Sequence, residues 1–60
     1  FTEYDKAYLN FLKDNKIAAI DTISRIICVP KQTIQTEIEP FLIKNNLIRI
    51  TSRGRTYIGN

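Results

Sequence analysis

The apolar pattern of this chain changes period once, at Asn45 and Asn46, and that change limits the folds open to it. Before the two asparagines, apolar residues recur at three- and four-residue spacings, the mark of helices with one buried stripe. After them come two β-prone runs, residues 47–50 and 55–58, on either side of Thr51, Ser52, Arg53 and Gly54. Those four residues form a turn signal, and Gly54 accepts positive φ without a steric cost. Helices followed by one hairpin with a basic tip are therefore expected. Sixty residues leave room for one small domain with a marginal core, predicted to span residues 1–60.

The helices can be placed in outline. The first is predicted over residues 2–15, with Thr2 and Asp5 as a capping box and Tyr4, Ala7, Tyr8, Phe11 and Leu12 on one face. The apolar run at residues 17–20 is too short for a helix and reads as a small strand or an extended lead-in. Asp21 is the expected N-cap of a short second helix, with Ile23, Ile26 and Ile27 inward. That helix should stop near Cys28 and Val29, because Pro30 disfavours helical geometry in the residue before it. A third helix is expected over residues 30–45, with Ile34, Ile38, Phe41 and Leu42 inward. Pro40 should kink or split it. The order is helix, short extended piece, helix, turn, helix, hairpin. This is a mainly α fold with a small β-hairpin: a winged helix–turn–helix of three helices plus a wing.

Composition closes off most chemistry. Cys28 is the one cysteine, so no internal disulfide forms and the chain suits a reducing compartment. It reads as a small buried hydrophobe. Histidine is absent, which removes the commonest general base and the commonest zinc ligand. The only glycines are Gly54 and Gly59, so no phosphate-cradling loop exists. Glu37 and Glu39 point apart at two-residue spacing on a helix and make no acid–base pair. No metal site, cofactor site or catalytic residue is expected in this chain, and it is not read as an enzyme. No run is apolar enough to span a membrane and no signal peptide is visible, so no membrane partner is expected. A start at Phe1 rather than methionine suggests a module cut from a longer protein.

Charge is unevenly placed. Residues 1–43 carry five basic and six acidic side chains, whereas residues 44–60 carry Lys44, Arg49, Arg53 and Arg55 and no acid. A basic end on a near-neutral body is expected of a polyanion binder, and equally of a solubilising surface.

At the hairpin the residues become specific. The stretch from Thr33 to Arg55, TIQTEIEPFLIKNNLIRITSRGR, resembles the C-terminal domain of the RuvB family, bacterial Holliday junction branch migration motors. Its most distinctive parts are EPFLI and TSRGR, and the upstream TEYDKAYL and IDTISRII also look like that domain's first two helices. Three positions depart from the family pattern. Asn46 stands where glycine is usual, Ser52 where proline is usual, and Ile50 where arginine is frequent. The resemblance implies a cytoplasmic bacterial parent with an ATPase region, where ATP and magnesium would act. It also implies a hexameric ring, a junction-recognition partner, contacts with the parent's own ATPase domains, and double-stranded DNA and Holliday junctions as ligands.

By position, Arg53 and Arg55 match the family's wing arginines, which the resemblance implies touch DNA. A guanidinium on a hairpin tip reaches phosphates, and Gly54 would let the two backbones approach. The bland alternative is a pair of solvated charges. Arg49 and Lys44 extend the basic surface or form a solvated rim. Thr51 and Ser52 offer hydroxyls to phosphate or cap the turn. Lys31, at the start of the third helix, is placed for a phosphate but shares that helix with Glu37 and Glu39; Gln32, Gln35 and Thr36 are its exposed neighbours. Tyr57 could stack on a base, but in a strand beside Ile58 it is read as core or rim. The expected function is sequence-independent DNA binding by the wing and basic C-terminal surface. Two alternatives stay open: a protein-contact module packing on a neighbouring ATPase domain, and a transcriptional regulator.

Overall fold

A computed structural model of the chain describes residues 2–59. Helix α1 spans Glu3–Asn15, and the expected capping box is present. The Asp5 amide donates to Thr2 Oγ1 at 3.2 Å, and the Thr2 amide donates to Asp5 Oδ2 at 2.9 Å. Two otherwise orphaned donors are thereby satisfied. The buried stripe runs through Asp5, Tyr8, Leu9 and Leu12. Tyr4 and Ala7, expected inside, are exposed instead. Leu9 joins the core in their place.

The apolar run at 17–20 divides between two elements. Ile17–Ala18 is strand β1, and α2 spans Ile20–Ile27. Ala19, extended at φ −75° and ψ 154°, is the N-cap and supplies no side-chain bond. Asp21, the expected cap, sits inside the first turn and pairs with Lys31 at 2.8 Å. The shift has a tertiary cause, since pairing of β1 with the last strand fixes where the helix can begin. Ile23 is buried as expected, but Ile26 is 57% exposed. Cys28 ends the helix in the left-handed region at φ 60° and ψ 44°, and its thiol is exposed rather than buried. The Ser24 hydroxyl donates to the Val29 carbonyl at 2.7 Å and closes this corner.

Helix α3 is built of three consecutive stretches: Lys31–Thr33, a π-helical turn Ile34–Ile38, and Glu39–Lys44. The interruption expected at Pro40 is present: the helix changes there from the π-helical turn to a new α-helical stretch, in whose first turn the proline sits. Proline lacks an amide and its ring crowds the carbonyl four residues back. Here the preceding turn widens, and the Glu39 amide donates to the Ile34 carbonyl five residues back. Ile34, Ile38 and Leu42 are buried together with Glu39, whereas Phe41 is 40% exposed. Asn45 caps the helix and Asn46 takes φ 60°, the left-handed role glycine commonly fills.

Strands β2, Ile48–Thr51, and β3, Gly54–Tyr57, form the hairpin. The sheet has three antiparallel strands in the order β1-β3-β2, so β3 is central. Tyr8, Leu9, Leu12, Ile23, Val29, Ile34, Ile38, Leu42 and Ile48 make the core. Among the described residues no helix is long and apolar enough to cross a membrane.

Candidate nucleic-acid interface

The wing follows from its turn. Thr51 pairs with Gly54, which leaves Ser52 and Arg53 as a two-residue loop. The Thr51 hydroxyl donates to the Gly54 carbonyl at 3.0 Å and accepts from the Arg53 amide at 3.2 Å. These two bonds cap the turn, the commoner of the two roles expected of this hydroxyl. The capped loop carries the exposed side chains of Ser52 and Arg53. Strand β2 lies at the sheet edge and shows a single buried residue, Ile48. Arg49, Ile50 and Lys44 are exposed.

Gly54 is buried, with φ +136°. A Cβ there would stand 2.5 Å from the Ala18 carbonyl oxygen, closer than real Cβ contacts allow. The close approach that this glycine permits in the structure is one between two strands of the sheet. The glycine is needed so that β1 can pair with β3.

Arg55 is turned inward. Its Nε donates to Glu39 Oε2 at 2.6 Å and its Nη2 to Oε1 at 3.1 Å. Its side chain is 13% exposed and that of Glu39 is 2% exposed. The Tyr8 hydroxyl also donates to Glu39 Oε2, at 2.7 Å. This links α1, α3 and β3 through one carboxylate. Burial, and next the hydrogen bond to Glu39, push the Tyr8 hydroxyl far above its usual range. The hydrogen bond to Glu39 likewise raises the Arg55 guanidinium. A buried ion pair of this kind is costly to break on one side only, by about 3–5 kcal/mol, because an uncompensated charge is left behind. Glu39 and Tyr8 were not singled out from sequence as a pair. The available signal was Tyr8 itself, a tyrosine on an inward stripe whose hydroxyl requires a partner.

The three basic side chains that remain exposed among residues 44–60 are Lys44, Arg49 and Arg53. Lys31 faces solvent too but is paired with Asp21, both side chains being more than half exposed. Hydrogen bonding to Lys31 lowers the Asp21 carboxyl below its usual range. On the same helix the Thr36 hydroxyl donates to the Gln32 carbonyl at 2.9 Å. Glu37 is exposed there, whereas Glu39 is buried against Arg55. Tyr57 is partly buried against the core, and the Lys13 ammonium lies 5.8 Å from its ring centroid.

Comparison with known proteins adds a family-level finding. The family model described as the RuvB C-terminal winged helix domain matches residues 1–58. The Holliday junction branch migration complex subunit RuvB of Mycoplasma genitalium is 38% identical over 52 residues, covering 85% of this chain and 17% of that protein. The subunit of the same name from Ureaplasma parvum serovar 3 is 42% identical over 55 residues, covering 88% of this chain and 17% of that protein. That of Orientia tsutsugamushi is 36% identical over 59 residues, covering 93% and 18% respectively. The chain therefore spans less than a fifth of the length of these relatives.

Proposed function

Because this chain belongs to the RuvB C-terminal winged helix domain family, we propose that it grips double-stranded DNA without regard to sequence, as the DNA-holding module of a Holliday junction branch migration motor. The supporting observation is the exposed set Lys44, Arg49 and Arg53 in a seventeen-residue segment that contains no carboxylate side chain. Such a surface attracts phosphates and releases their condensed counterions, and it carries no information about bases. Arg53 on the capped turn is the leading contact, with the Ser52 hydroxyl beside it. Arg49 on the edge strand and Lys44 at the end of α3 add exposed positive charge. Lys31 joins only by giving up Asp21, and an exposed ion pair is cheap to open.

In this reading the domain serves the duplex arms of a junction. ATP and magnesium act in another region of the larger subunit, and several copies in a ring supply the avidity that one copy lacks. A junction-recognition partner and the neighbouring ATPase domain are its protein contacts, in the bacterial cytoplasm.

The test is fluorescence anisotropy of a labelled duplex and a labelled four-way junction across a salt series. The expected result is binding that weakens linearly in log–log salt, with equal affinity for AT-rich and GC-rich duplexes. Absent binding at low salt would remove the proposal in favour of a protein-contact module. Strong preference for one duplex sequence would favour a transcriptional regulator.

A further inference from the structure

The second arginine of the wing is engaged before any DNA arrives. Its two hydrogen bonds to Glu39 fix the guanidinium plane, and Glu39 is in turn fixed by Tyr8. Arg55 pairs with Ile50 and Ala18 in the sheet and adjoins Gly54, so whatever holds it also sets the position of the hairpin's return strand. We infer that Arg55 is a positioning residue that fixes the wing against α1 and α3, and that it is not one of the phosphate contacts.

The argument is geometric. A side chain 13% exposed and bidentate on a buried carboxylate has its charge matched inside the protein. To reach a phosphate it would leave the buried Glu39 carboxylate with no cation to match its charge, held by the Tyr8 hydroxyl alone, which costs more than one phosphate contact returns. Arg53, one residue from Gly54 on the other side, has no such tie to a carboxylate among the described salt bridges and stands on the exposed turn. The Arg-Gly-Arg triplet therefore divides its work: Arg53 meets the ligand, Gly54 admits β1, and Arg55 anchors the strand. This inference rests on the DNA-binding reading for Arg53, while the anchoring role stands on the protein alone.

The informative variant is Glu39→Gln. If Arg55 were a phosphate contact held in reserve, removing the carboxylate would free it, strengthening DNA binding and steepening the salt slope by about one. The anchoring role predicts the reverse sign. Glu39→Gln and Arg55→Met should each weaken binding with the salt slope unchanged, and the double variant should lose little more than either single one. Arg55→Lys, which keeps the charge but not the two-pronged fork, should recover part of the loss. Arg53→Ala should instead lower the slope by about one.

A second measurement needs no DNA. Backbone amide hydrogen exchange should accelerate across Gly54–Tyr57 in Arg55→Met while the α1 amides away from the triad stay protected, which also shows that the variant is folded. Tyr8→Phe serves as a milder variant should the ion-pair variants fail to fold, and it should speed exchange in the same strand to a smaller degree. If the parent chain fails to bind DNA, the proposed function falls, and the exchange data still decide the anchor. Unchanged protection of β3, or a steeper salt slope in Glu39→Gln, overturns the inference.

Discussion

Gly54 and Ala18 approach so closely that a Cβ on Gly54 would lie 2.5 Å from the Ala18 carbonyl oxygen and 2.9 Å from its carbon. Both obstacles are backbone, which cannot swing aside like a side-chain tip. The φ of +136° adds strain for any other residue. Gly54→Ala is therefore expected to cost about 2 kcal/mol or more, through backbone strain and the clash together. Urea unfolding gives the stability, and exchange at Ile17 and Ala18 should rise first. An alanine variant as stable as the parent would show that the strands can part at no cost.

Tyr8→Phe removes one buried hydroxyl donor while leaving the Arg55 pair to hold the carboxylate. The expected loss is about 1 kcal/mol near neutral pH, one hydrogen bond's net worth. The sign at alkaline pH follows from the raised pKa of Tyr8. The unfolded chain sheds that proton near 10.0, whereas the folded chain retains it. The hydroxyl's contribution is thus complete below that pH and declines as pH rises beyond it. Chemical denaturation at a series of pH values should show the parent's advantage over the variant narrowing above that point. A constant gap would contradict the buried hydrogen bond.

Cys28 holds a left-handed conformation at φ 60° with its thiol exposed. A side chain there is unfavourable by about 1–2 kcal/mol, part of which glycine loses again to chain entropy. Cys28→Gly should accordingly raise stability by up to about 1 kcal/mol. In the parent, the thiol should react with a disulfide reagent in the native state as quickly as in the denatured state. Slow native labelling would place the sulfur inside.

Arg49 lies on strand β2 and Arg53 on the turn that follows it, with no partner shared between them among the described residues, so their effects should add. The double variant Arg49→Ala, Arg53→Ala is expected to lower the salt slope of duplex binding by about two while leaving thermal stability nearly unchanged. Stability is part of the test, because a large fall in melting temperature would mean that these side chains support the fold rather than meet a ligand.

Local features carried much of this molecule's plan in the sequence. Thr2 and Asp5 satisfy each other across one helical turn, and Thr51 to Gly54 form a turn from neighbouring residues. Both could be read because cause and effect lie within four positions. The features that escaped depend on distant parts of the chain. Ala19 rather than Asp21 precedes α2 because β1 pairs with residues 55 and 56. Leu9 rather than Tyr4 joins a core built mostly from residues beyond α1. Pro40 announced a disturbance, but its form, a widened turn that keeps Ile34, Ile38 and Leu42 on one side, depends on the core beneath. At the candidate site, Arg53 and Arg55 flank one glycine and were both expected to meet a ligand. What sequence does not reveal is that Glu39, sixteen residues before Arg55, holds that guanidinium inside.

The strand order also has a consequence for how the chain acquires its shape. The hairpin joins β2 to β3 across two loop residues, a local event on a timescale of about 1–10 μs. Joining β1 to β3 matches Ile17 with Thr56 and must close a loop that takes in the second and third helices. The entropy of that closure is regained only after those helices are in place. A preformed wing should therefore dock late onto the nascent helical body. Substitutions at the β1–β3 seam would then speed unfolding far more than they slow folding.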